Sequence, residues 1–398
     1  MRRLAEIPPT AGLPPRLSDL FASGGDLAGA LSAQLGVDTA LTTCSGTAAL
    51  MLALRIAQLR QPRRDVVVVP AFTCPLVPIA VHALGLHLRI ADLAHGSLDF
   101  DRGSLHAQLD DRVLAVVPTH LGGRVADVAA VNRLVAGSGI AVIEDAAQSL
   151  GATIDGRSIG LAGDIGFFSL AAGKGLSTYE GGVAIARDPS WLEAMQALQH
   201  ALPKQSAFER RRCAELIGYT LLYRPLPLRW VYGSPLRRAL KRRDLIGAIG
   251  DRFPLDVPLH RMGGWRQSVG ASAARRLPRF LDERRACALT RAERLRTIPG
   301  VHVHSDRAGE RGVWPILLVQ LDCERRRDTV LDRLWTAGLG VSRMFIHALP
   351  GYLGLRDIVP HQACPNAADF AARSLTITNS PWLRDHEFEE ICRVIEAA

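Results

Sequence analysis

Between residues 65 and 186, short apolar runs alternate with stretches of helical periodicity. The runs are DVVVVP (65–70), LHLRIAD (86–92), VLAVVPTH (113–120), IAVIEDA (140–146), IGFFSL (165–170) and GGVAIA (181–186). They are rich in Val and Ile and do not alternate apolar with polar residues, which is typical of strands covered on both faces. Two stretches predict helices. SGTAALMLALRIAQL precedes the first run, and VADVAAVNRLVAGSG lies between the third and fourth runs and ends at a glycine. This succession predicts an α/β domain with a mostly parallel sheet.

The 398 residues are enough for two domains. We predict an N-terminal arm at 1–24 and a large domain at 25–262, whose last part, about 201–262, is a basic insertion. A smaller α+β domain is predicted at 263–398. Its helical region starts near residue 268 and is interrupted near Pro278. Its strand candidates are VWPILLVQL, LGVSRMFIH and RSLTITN, and RDHEFEEICRVIEAA is the closing helix.

The formal charge of +9 is concentrated, because residues 201–245 hold eleven Lys and Arg against three Asp and Glu. The rest of the chain offers no extended basic face, so nucleic acid is not an expected partner. No long apolar run predicts a membrane-spanning helix, and the N-terminal residues lack the apolar core of a secretory signal. The seven cysteines show no CxxC or CxxH spacing. This is typical of reduced thiols in a cytoplasmic protein, and no metal site is expected.

Lysine is scarce in this chain, since 45 of the 48 Lys and Arg residues are Arg. One of the three lysines, Lys174, follows a predicted strand and lies among glycines in AAGKGLSTYEGG. An amine can lose its proton, attack a carbonyl and form a Schiff base, whereas a guanidinium cannot. Lys174 is therefore either a solvated loop residue or a reactive amine.

Two further segments carry candidate residues for a site. Asp145 ends the apolar run VIED, where a carboxylate enters the ligand crevice of a parallel sheet. It either pairs with a cationic group or caps the following helix. Ser45 and Thr47 lie in TTCSGTAALMLAL, a small-residue turn that opens a predicted helix. Such a turn either binds a phosphate through free N–H groups or is an ordinary helix cap.

The order of these three segments is what pyridoxal 5′-phosphate needs. A phosphate-binding turn is followed by a buried acid and then by a reactive lysine. Asp145 would keep the ring nitrogen protonated, so that the ring takes up electrons from the substrate. Lys174 would hold the cofactor covalently and then move the substrate proton as an acid/base.

These motifs resemble those of the DegT/DnrJ/EryC1/StrS family of sugar aminotransferases, which share fold type I with aspartate aminotransferase. The resemblance extends over about residues 35–200 and 262–397. It implies an aspartate-aminotransferase-like large domain with a mostly parallel sheet, and a smaller C-terminal α+β domain.

The resemblance also implies roles for individual residues. SGTAAL (45–50) implies Gly46 and Thr47 at the cofactor phosphate, and PAFTCP (70–75) implies Phe72 stacked on the ring. EDAAQSLGA (144–152) implies Asp145 at the ring nitrogen and Gln148 near the ring hydroxyl. SLAAGKGLSTYEGG (169–182) implies Ser169 at the phosphate and Lys174 as the point of covalent attachment.

The C-terminal half resembles the family less closely. HALPGY (347–352) and CPNAADFAARSLTITNSPWL (364–383) match its C-terminal signature and imply His347 near the substrate. The family's Asn-aromatic-Arg motif, which reaches the neighbouring subunit's active site, aligns with GGWRQS. Trp265 and Arg266 are retained there, but Gly264 replaces Asn. The aromatic-His pair that often follows Ser169 is also missing, and both departures suggest an unusual substrate.

The function implied is transfer of an amino group, from glutamate, to a keto group of a nucleotide-linked sugar through the pyridoxamine form. A homodimer is implied as well. Alternatives are a pyridoxal-phosphate-dependent sugar dehydratase, or transfer to a lipid-linked or other non-nucleotide acceptor. One type of family dehydratase has His in place of the lysine, so Lys174 argues against that type only. A non-catalytic regulatory protein would have no use for Lys174, Asp145 and Gln148.

Residues 204–243 interleave Arg and Lys with Leu, Tyr, Trp and Pro, as in YRPLPLRWVYGSPLRRALKRR. Three interpretations stay open. The segment packs its apolar residues on the large domain and solvates its charges, or its arginines bind the diphosphate of a nucleotide sugar. In the third, it lies on an anionic membrane as a peripheral contact.

Overall fold

The computed structural model describes residues 5–398, and its largest feature is a seven-stranded sheet with the order β1-β9-β8-β5-β4-β2-β3. Six strands run in one direction and β9 runs against both of its neighbours. The strands of this sheet are β1 (Leu41–Thr43), β2 (Val66–Pro70), β3 (His87–Ala91), β4 (Val113–Val116), β5 (Ala141–Asp145), β8 (Ile165–Ser169) and β9 (Gly182–Ala186). The predicted mostly parallel sheet is therefore confirmed.

All six predicted apolar runs of this region form strands, and every residue of β2, β4, β5 and β8 is buried. The two faces of β2 show why the run is continuously apolar. Val67 and Val69 pack in one hydrophobic cluster with helix α2 (Gly46–Arg60), and Val66 and Val68 pack in another with helix α5 (Val128–Val135). β1 escaped prediction because it is three residues long and two of them are Thr.

The helices that cover this sheet, and those of the rest of the chain, have the following bounds. They are α1 (Leu27–Leu35), α2 (Gly46–Arg60), α3 (Leu76–Ala83), α4 (Arg102–His106), α5 (Val128–Val135), α6 (Pro189–Ala201), α7 (Ser206–Leu222), α8 (Pro225–Leu228), α9 (Ser234–Lys241), α10 (Leu245–Ile249), α11 (Gly264–Ala274), α12 (Leu277–Arg296), α13 (Glu324–Leu334), α14 (Pro365–Arg373) and α15 (Asp385–Glu396). The predicted interruption near Pro278 separates α11 from α12, where the proline takes a first-turn position that needs no N–H.

A second, antiparallel sheet lies in the C-terminal part and has the order β10-β12-β14-β13. A third, short sheet joins the two parts, since β11 pairs with the hairpin of β6 and β7. The strands are β6 (Thr153–Ile154), β7 (Arg157–Ser158), β10 (Val301–Val303), β11 (Glu310–Arg311), β12 (Ile316–Leu321), β13 (Val341–Ser342) and β14 (Ser374–Thr378). The predicted α+β character of the C-terminal part is confirmed.

The basic insertion forms helices α7 to α10, with a π-helical turn at Arg229–Gly233. Leu236 and Ala248 of the insertion join the hydrophobic cluster of the antiparallel sheet. Phe253 packs instead against the cluster of the seven-stranded sheet. The prediction that the insertion packs on the large domain was therefore incomplete, because its apolar residues divide between the two clusters.

The N-terminal segment connects the same two regions. Ile7 N–H donates to the carbonyl of Gly338 at 3.0 Å, and Ala11 N–H donates to that of Pro315 at 2.8 Å. A few residues later, Leu13 N–H donates to the carbonyl of Gly175 at 2.9 Å. No helix within residues 5–398 is long and apolar enough to cross a membrane.

Candidate active site

A cavity of about 390 Å³ opens where the parallel strands end. Thr73, Thr119, Asp145 and Ser169 lie at or just beyond the carboxyl ends of β2, β4, β5 and β8, and all four line it. Lys174 lines the same cavity. Ligands of α/β proteins bind at this edge of the sheet, so the cavity is the candidate active site.

The first turn of α2 forms one wall of the cavity. Gly46 and Thr47 line it, and the first N–H groups of a helix have no partners within the helix. Ser45 is the helix cap, with its Oγ accepting from Ala48 N–H at 3.0 Å, and does not line the cavity. A Cβ added at Gly46 would lie 3.0 Å from that of Ser169, so glycine lets the helix start approach the end of β8. The turn is suited to bind an anion.

The adjacent acids Glu144 and Asp145 are distinguished by their partners. Glu144 pairs with His120 at 2.9 Å and accepts from two backbone N–H groups, so its carboxylate is satisfied away from the cavity. Asp145 is 3% exposed, and among the described residues it accepts only from Ala147 N–H, at 3.0 Å. Burial raises the pKa of Asp145, and no ion pair with it occurs within residues 5–398. Such a buried acid needs a cationic or donor partner in the cavity.

Lys174 likewise has no carboxylate partner in the described part of the chain. Burial lowers the pKa of its amine, and the charges of Cys74, Asp145 and Asp251 offset this only in part. A lowered pKa increases the share of neutral, nucleophilic amine. Lys204 and Lys241 are exposed and do not line the cavity.

The loop that carries Lys174 is fixed from two sides. Gly173 has φ of +79°, which favours glycine, and its N–H donates to the hydroxyl of Tyr219 on α7 at 3.2 Å. Its carbonyl accepts from Thr10 Oγ1 at 2.6 Å. A Cβ added at Gly12 would lie 2.9 Å from the carbonyl oxygen of Lys174, so the N-terminal segment approaches the loop closely. The amine is thus presented from a rigid support.

Gln148 completes the group near Asp145. It lines the cavity, and its Oε1 accepts from Gly122 N–H at 2.8 Å, which fixes the side chain. The cavity therefore combines an anion-binding helix start with a buried acid and an amine, neither of which forms an ion pair within residues 5–398. These groups match the phosphate, the ring nitrogen and the aldehyde of pyridoxal 5′-phosphate, and so the residues present fit this cofactor.

Phe72 was predicted to stack on the cofactor ring, but the structure places it beneath the cavity. Its ring is fully buried and packs edge-to-face with Phe345 and Phe370, at centroid distances of 5.3 and 5.0 Å. The following residues, Thr73 and Cys74, line the cavity instead. Phe72 points into the core. The residue before it, Ala71, still pairs with the neighbouring strand region, since its N–H donates to the carbonyl of Ala91.

The predicted substrate residues also lie outside this cavity. Arg266 is fully buried in its own chain, where its guanidinium binds Glu209 and the carbonyl of Glu180. Trp265 donates its indole N–H to the carbonyl of Leu20 at 3.1 Å. Gly264 has open space where a Cβ would be.

His347 is exposed and lines a neighbouring cavity of about 370 Å³. The two cavities share Arg343, which lines both. No motif identified this arginine, and sequence analysis also missed Tyr232 and Asp251 of the insertion, which line the Lys174 cavity. In the sequence, the one feature that distinguishes Asp251 from the other acids of the insertion is its position directly after a glycine that ends a helix.

Solved structures share this architecture. A putative sugar aminotransferase from Streptococcus pneumoniae in its PLP form has a TM-score of 0.75 at 18% identity, over 98% of each chain. The E. coli GDP-4-keto-6-deoxy-D-mannose-3-dehydratase with bound hydrated PLP also has a TM-score of 0.75 at 18% identity, over 99% of this chain and all of that one. These likenesses confirm the predicted fold-type I architecture.

The family follows from the sequence comparison. The model of the DegT/DnrJ/EryC1/StrS aminotransferase family matches residues 24–221 and 260–396, and the chain belongs to this family. Among its relatives is a UDP-N-acetyl-3-dehydro-α-D-glucosamine 3-aminotransferase of Acidithiobacillus ferrooxidans, 27% identical over 90% of this chain and 84% of the relative. A dTDP-3-amino-3,4,6-trideoxy-α-D-glucose transaminase of Streptomyces venezuelae is 26% identical over 90% and 82%.

Proposed function

We propose that this chain is a pyridoxal-phosphate-dependent aminotransferase that transfers an amino group, from glutamate, to a keto group of a nucleotide-linked sugar. The observation that carries the proposal is the shared cavity of Asp145 and Lys174, two buried ionisable groups that form no ion pair with any of the described residues. Burying an acid and an amine without an ion pair costs free energy, and a protein without this chemistry would have no use for these two groups.

Each residue has a defined task in this function. Gly46, Thr47 and Ser169 bind the phosphate at the start of α2, and Gln148 lies beside the ring hydroxyl. Asp145 holds a proton on the ring nitrogen. When bound, pyridoxal phosphate supplies an electron sink for the carbanion formed at the substrate carbon.

Lys174 has two tasks. Its neutral amine attaches the cofactor, and once released it removes and returns the substrate proton through Nζ. The lowering of the pKa of Lys174 by burial suits both tasks, because it increases the share of neutral amine, the form that attacks a carbonyl or accepts a proton. The apolar residues of the cavity, among them Leu50 and Phe167, exclude water from the reaction.

The activities of the relatives support the substrate class. The A. ferrooxidans and S. venezuelae proteins act on UDP- and dTDP-linked sugars, and a further relative, from Vibrio cholerae, is a GDP-perosamine synthase. The E. coli dehydratase shares the fold only, so it supports no second function for this chain.

We further propose a homodimer, a cytoplasmic location and the predicted division into an arm at 1–24, a large domain at 25–262 and a small domain at 263–398. The strands of the seven-stranded sheet fall within 41–186 and those of the antiparallel sheet within 301–378, which supports the division. Sedimentation of the holoenzyme at micromolar concentration tests the dimer, and an active monomer would contradict it.

The function is tested by one spectroscopic experiment. Purified protein loaded with pyridoxal phosphate is expected to show a visible absorption band that bleaches with glutamate. A panel of UDP-, dTDP- and GDP-linked keto-hexoses is then added, and the band should return with one of them. A band that glutamate leaves unchanged would contradict an aminotransferase that uses this donor.

A further inference from the structure

Residues 222–259 fall between the two stretches that match the family model. They nevertheless reach the Lys174 cavity, where the insertion contributes Tyr232, Ile249, Gly250, Asp251 and Phe253. The insertion is therefore part of the active-site wall and not a remote addition. It supplies side chains whose tasks the family motifs do not define.

Gly250 forms the turn that places Asp251 and Phe253 at the cavity. It ends α10 in the left-handed conformation, with φ of +80°, and Asp251 N–H then donates to the carbonyl of Ile246 at 3.1 Å. Glycine adopts this conformation without strain. The turn brings Asp251 and Phe253 to the same wall of the cavity.

Asp251 is held by one neighbour. The hydroxyl of Tyr352 donates to Oδ2 at 2.8 Å, and the N–H of Ile346 donates to that hydroxyl at 3.1 Å, which fixes its orientation. Oδ1 receives no hydrogen bond from residues 5–398, and Asp251 makes no ion pair with any of them. Burial raises the pKa of Asp251 to about 7, against the effects of Tyr352 and of the Lys174 charge.

The surroundings of Asp251 indicate what binds there. A carboxylate accepts hydrogen bonds from hydroxyl groups, and the nearby Tyr232, Ile249 and Phe253 offer apolar surface to the C–H groups of a ring. A phosphate would be repelled by the acid at this wall. The acceptor sugar combines hydroxyl groups with apolar C–H groups and therefore suits the wall better than the diphosphate does.

We propose, on the basis of the function proposed above, that Asp251 accepts a hydrogen bond from a hydroxyl of the keto-sugar and thereby determines which sugar is aminated. Tyr352 is the positioning residue that holds the carboxylate. The insertion thus adapts a common site to a particular sugar.

The two half-reactions separate this role from a role toward the amino donor. In Asp251→Asn, an N–H group replaces an oxygen that accepts hydrogen bonds, while the side chain keeps its size. A hydrogen bond to a charged group is worth about 1.5–3 kcal/mol, so at about pH 8, above the pKa of Asp251, we expect KM for the keto-sugar to rise about 10- to 100-fold. KM for glutamate and the cofactor content should stay unchanged, whereas the rate of bleaching changes only through the effect of the Asp251 charge on the pKa of Lys174.

Two further variants complete the test. Tyr352→Phe should raise KM for the sugar less than Asp251→Asn does and leave kcat nearly unchanged. Asp256→Asn is the matched control, since Asp256 is an exposed acid of the same segment and does not line the cavity. Titration calorimetry of the pyridoxamine form with the nucleotide amino-sugar product, two partners that cannot react with each other, should show the same order of affinities.

The outcomes are distinguishable. A raised KM for glutamate with an unchanged KM for the sugar would assign Asp251 to the donor and overturn the proposal. Unchanged constants for both substrates and equal calorimetric affinities would overturn it as well. Failure of the unaltered protein to bleach with glutamate would instead reject the proposed function.

Discussion

The guanidinium of Arg266 binds both oxygens of Glu209, with Nε to Oε1 and Nη2 to Oε2 each 2.7 Å apart. This pair joins α11 to α7, and α7 in turn carries Tyr219, which supports the lysine loop. Arg266 was predicted to contact the neighbouring subunit. In the structure it is buried in its own chain, and its structural effect reaches the active site through α7.

Glu209→Gln should destabilise the protein by about 3–5 kcal/mol, because it leaves the buried guanidinium without a counter-charge. Chemical unfolding of the variant measures this loss. Glu193→Gln is the control, since Glu193 is exposed on α6 and should change stability by less than about 0.5 kcal/mol. Equal stability of the two variants would mean that the pair contributes nothing.

The same pair predicts a pH dependence. Burial opposes ionisation of Glu209, but the hydrogen bonds from Arg266 and the nearby His260, whose Nε2 lies 3.7 Å from Oε2, outweigh it and lower the pKa to about 2. Because the folded pKa lies below the unfolded value of about 4.3, the stabilisation is fully present above about pH 4.3. It is lost as the pH falls toward about 2. The stability difference between the unaltered protein and Glu209→Gln should therefore shrink over this range in acid unfolding curves.

Lys174→Arg should fold normally yet hold no covalently bound cofactor, because a guanidinium does not condense with an aldehyde at neutral pH. Borohydride reduction and peptide mapping of the unaltered protein should label Lys174. Lys204→Arg and Lys241→Arg provide matched controls, as both lysines are exposed, and each should retain the label. A label on either of these lysines would refute the assignment.

No helix directly follows β5 in the described part of the chain, so the predicted helix cap reduces to a hydrogen bond that Ala147 N–H donates to Asp145 and that caps a turn. Asp145→Asn distinguishes this from the ring-nitrogen role. The Asn Oδ1 can still accept from Ala147 N–H, so a cap would be preserved, whereas the charge is lost. We expect transamination to slow by about 10²-fold or more, since a preorganised electrostatic interaction is removed. The apo-protein should be at least as stable as the unaltered one, because a buried ionisable group is gone. If the variant keeps activity within about twofold of the unaltered enzyme, the only role of Asp145 is to cap the turn at Ala147.

Of the three interpretations of residues 204–243, the membrane contact stays a prediction. Arg237 pairs with the buried Glu6, and the five basic residues of 237–243 do not line the Lys174 cavity, which argues against a diphosphate clamp. Trp230 and Leu226 are 69% and 64% exposed beside this basic stretch. We expect flotation with anionic but not neutral vesicles, weakened at high salt.

Charge-removing variants test this contact. Each basic residue near an anionic membrane is worth about 1 kcal/mol, so four replacements by Gln should lower binding by about 100-fold or more. The residues to replace are Arg238, Lys241, Arg242 and Arg243, all exposed. The control removes four exposed arginines elsewhere, namely Arg63, Arg102, Arg325 and Arg333. Equal recovery with both vesicle types would exclude the membrane contact.

Sequence periodicity sufficed for the strands of the large sheet, because a strand buried on both faces must be apolar along its whole length. It could also place Asp145 and Lys174, whose chemistry depends on residue type and on their position after a strand. It could not separate Asp145 from Glu144 by pattern alone. Only the partners of Glu144, His120 and two backbone N–H groups, show which acid is free to act.

Other features depend on contacts between distant segments and therefore leave no local pattern. Phe72 and Arg266 have side chains that suit a ligand site, but packing against Phe345 and pairing with Glu209 commit them to the protein interior. Asp251 is the opposite case. It lies in a stretch of the insertion without a recognisable motif, and only the folded structure shows that it lines the active site and is held by Tyr352, 101 residues away.

The N-terminal segment has a consequence for biosynthesis. Ile7 is fixed to Gly338 and Ala11 to Pro315, so each of these partners is translated more than 300 residues after the segment that binds it. At the usual rates of synthesis the segment stays without them for roughly 15 to 60 seconds. Thr10, which binds the lysine loop, belongs to the same segment, so a nascent chain acquires a finished lysine loop only after residue 338 has been translated.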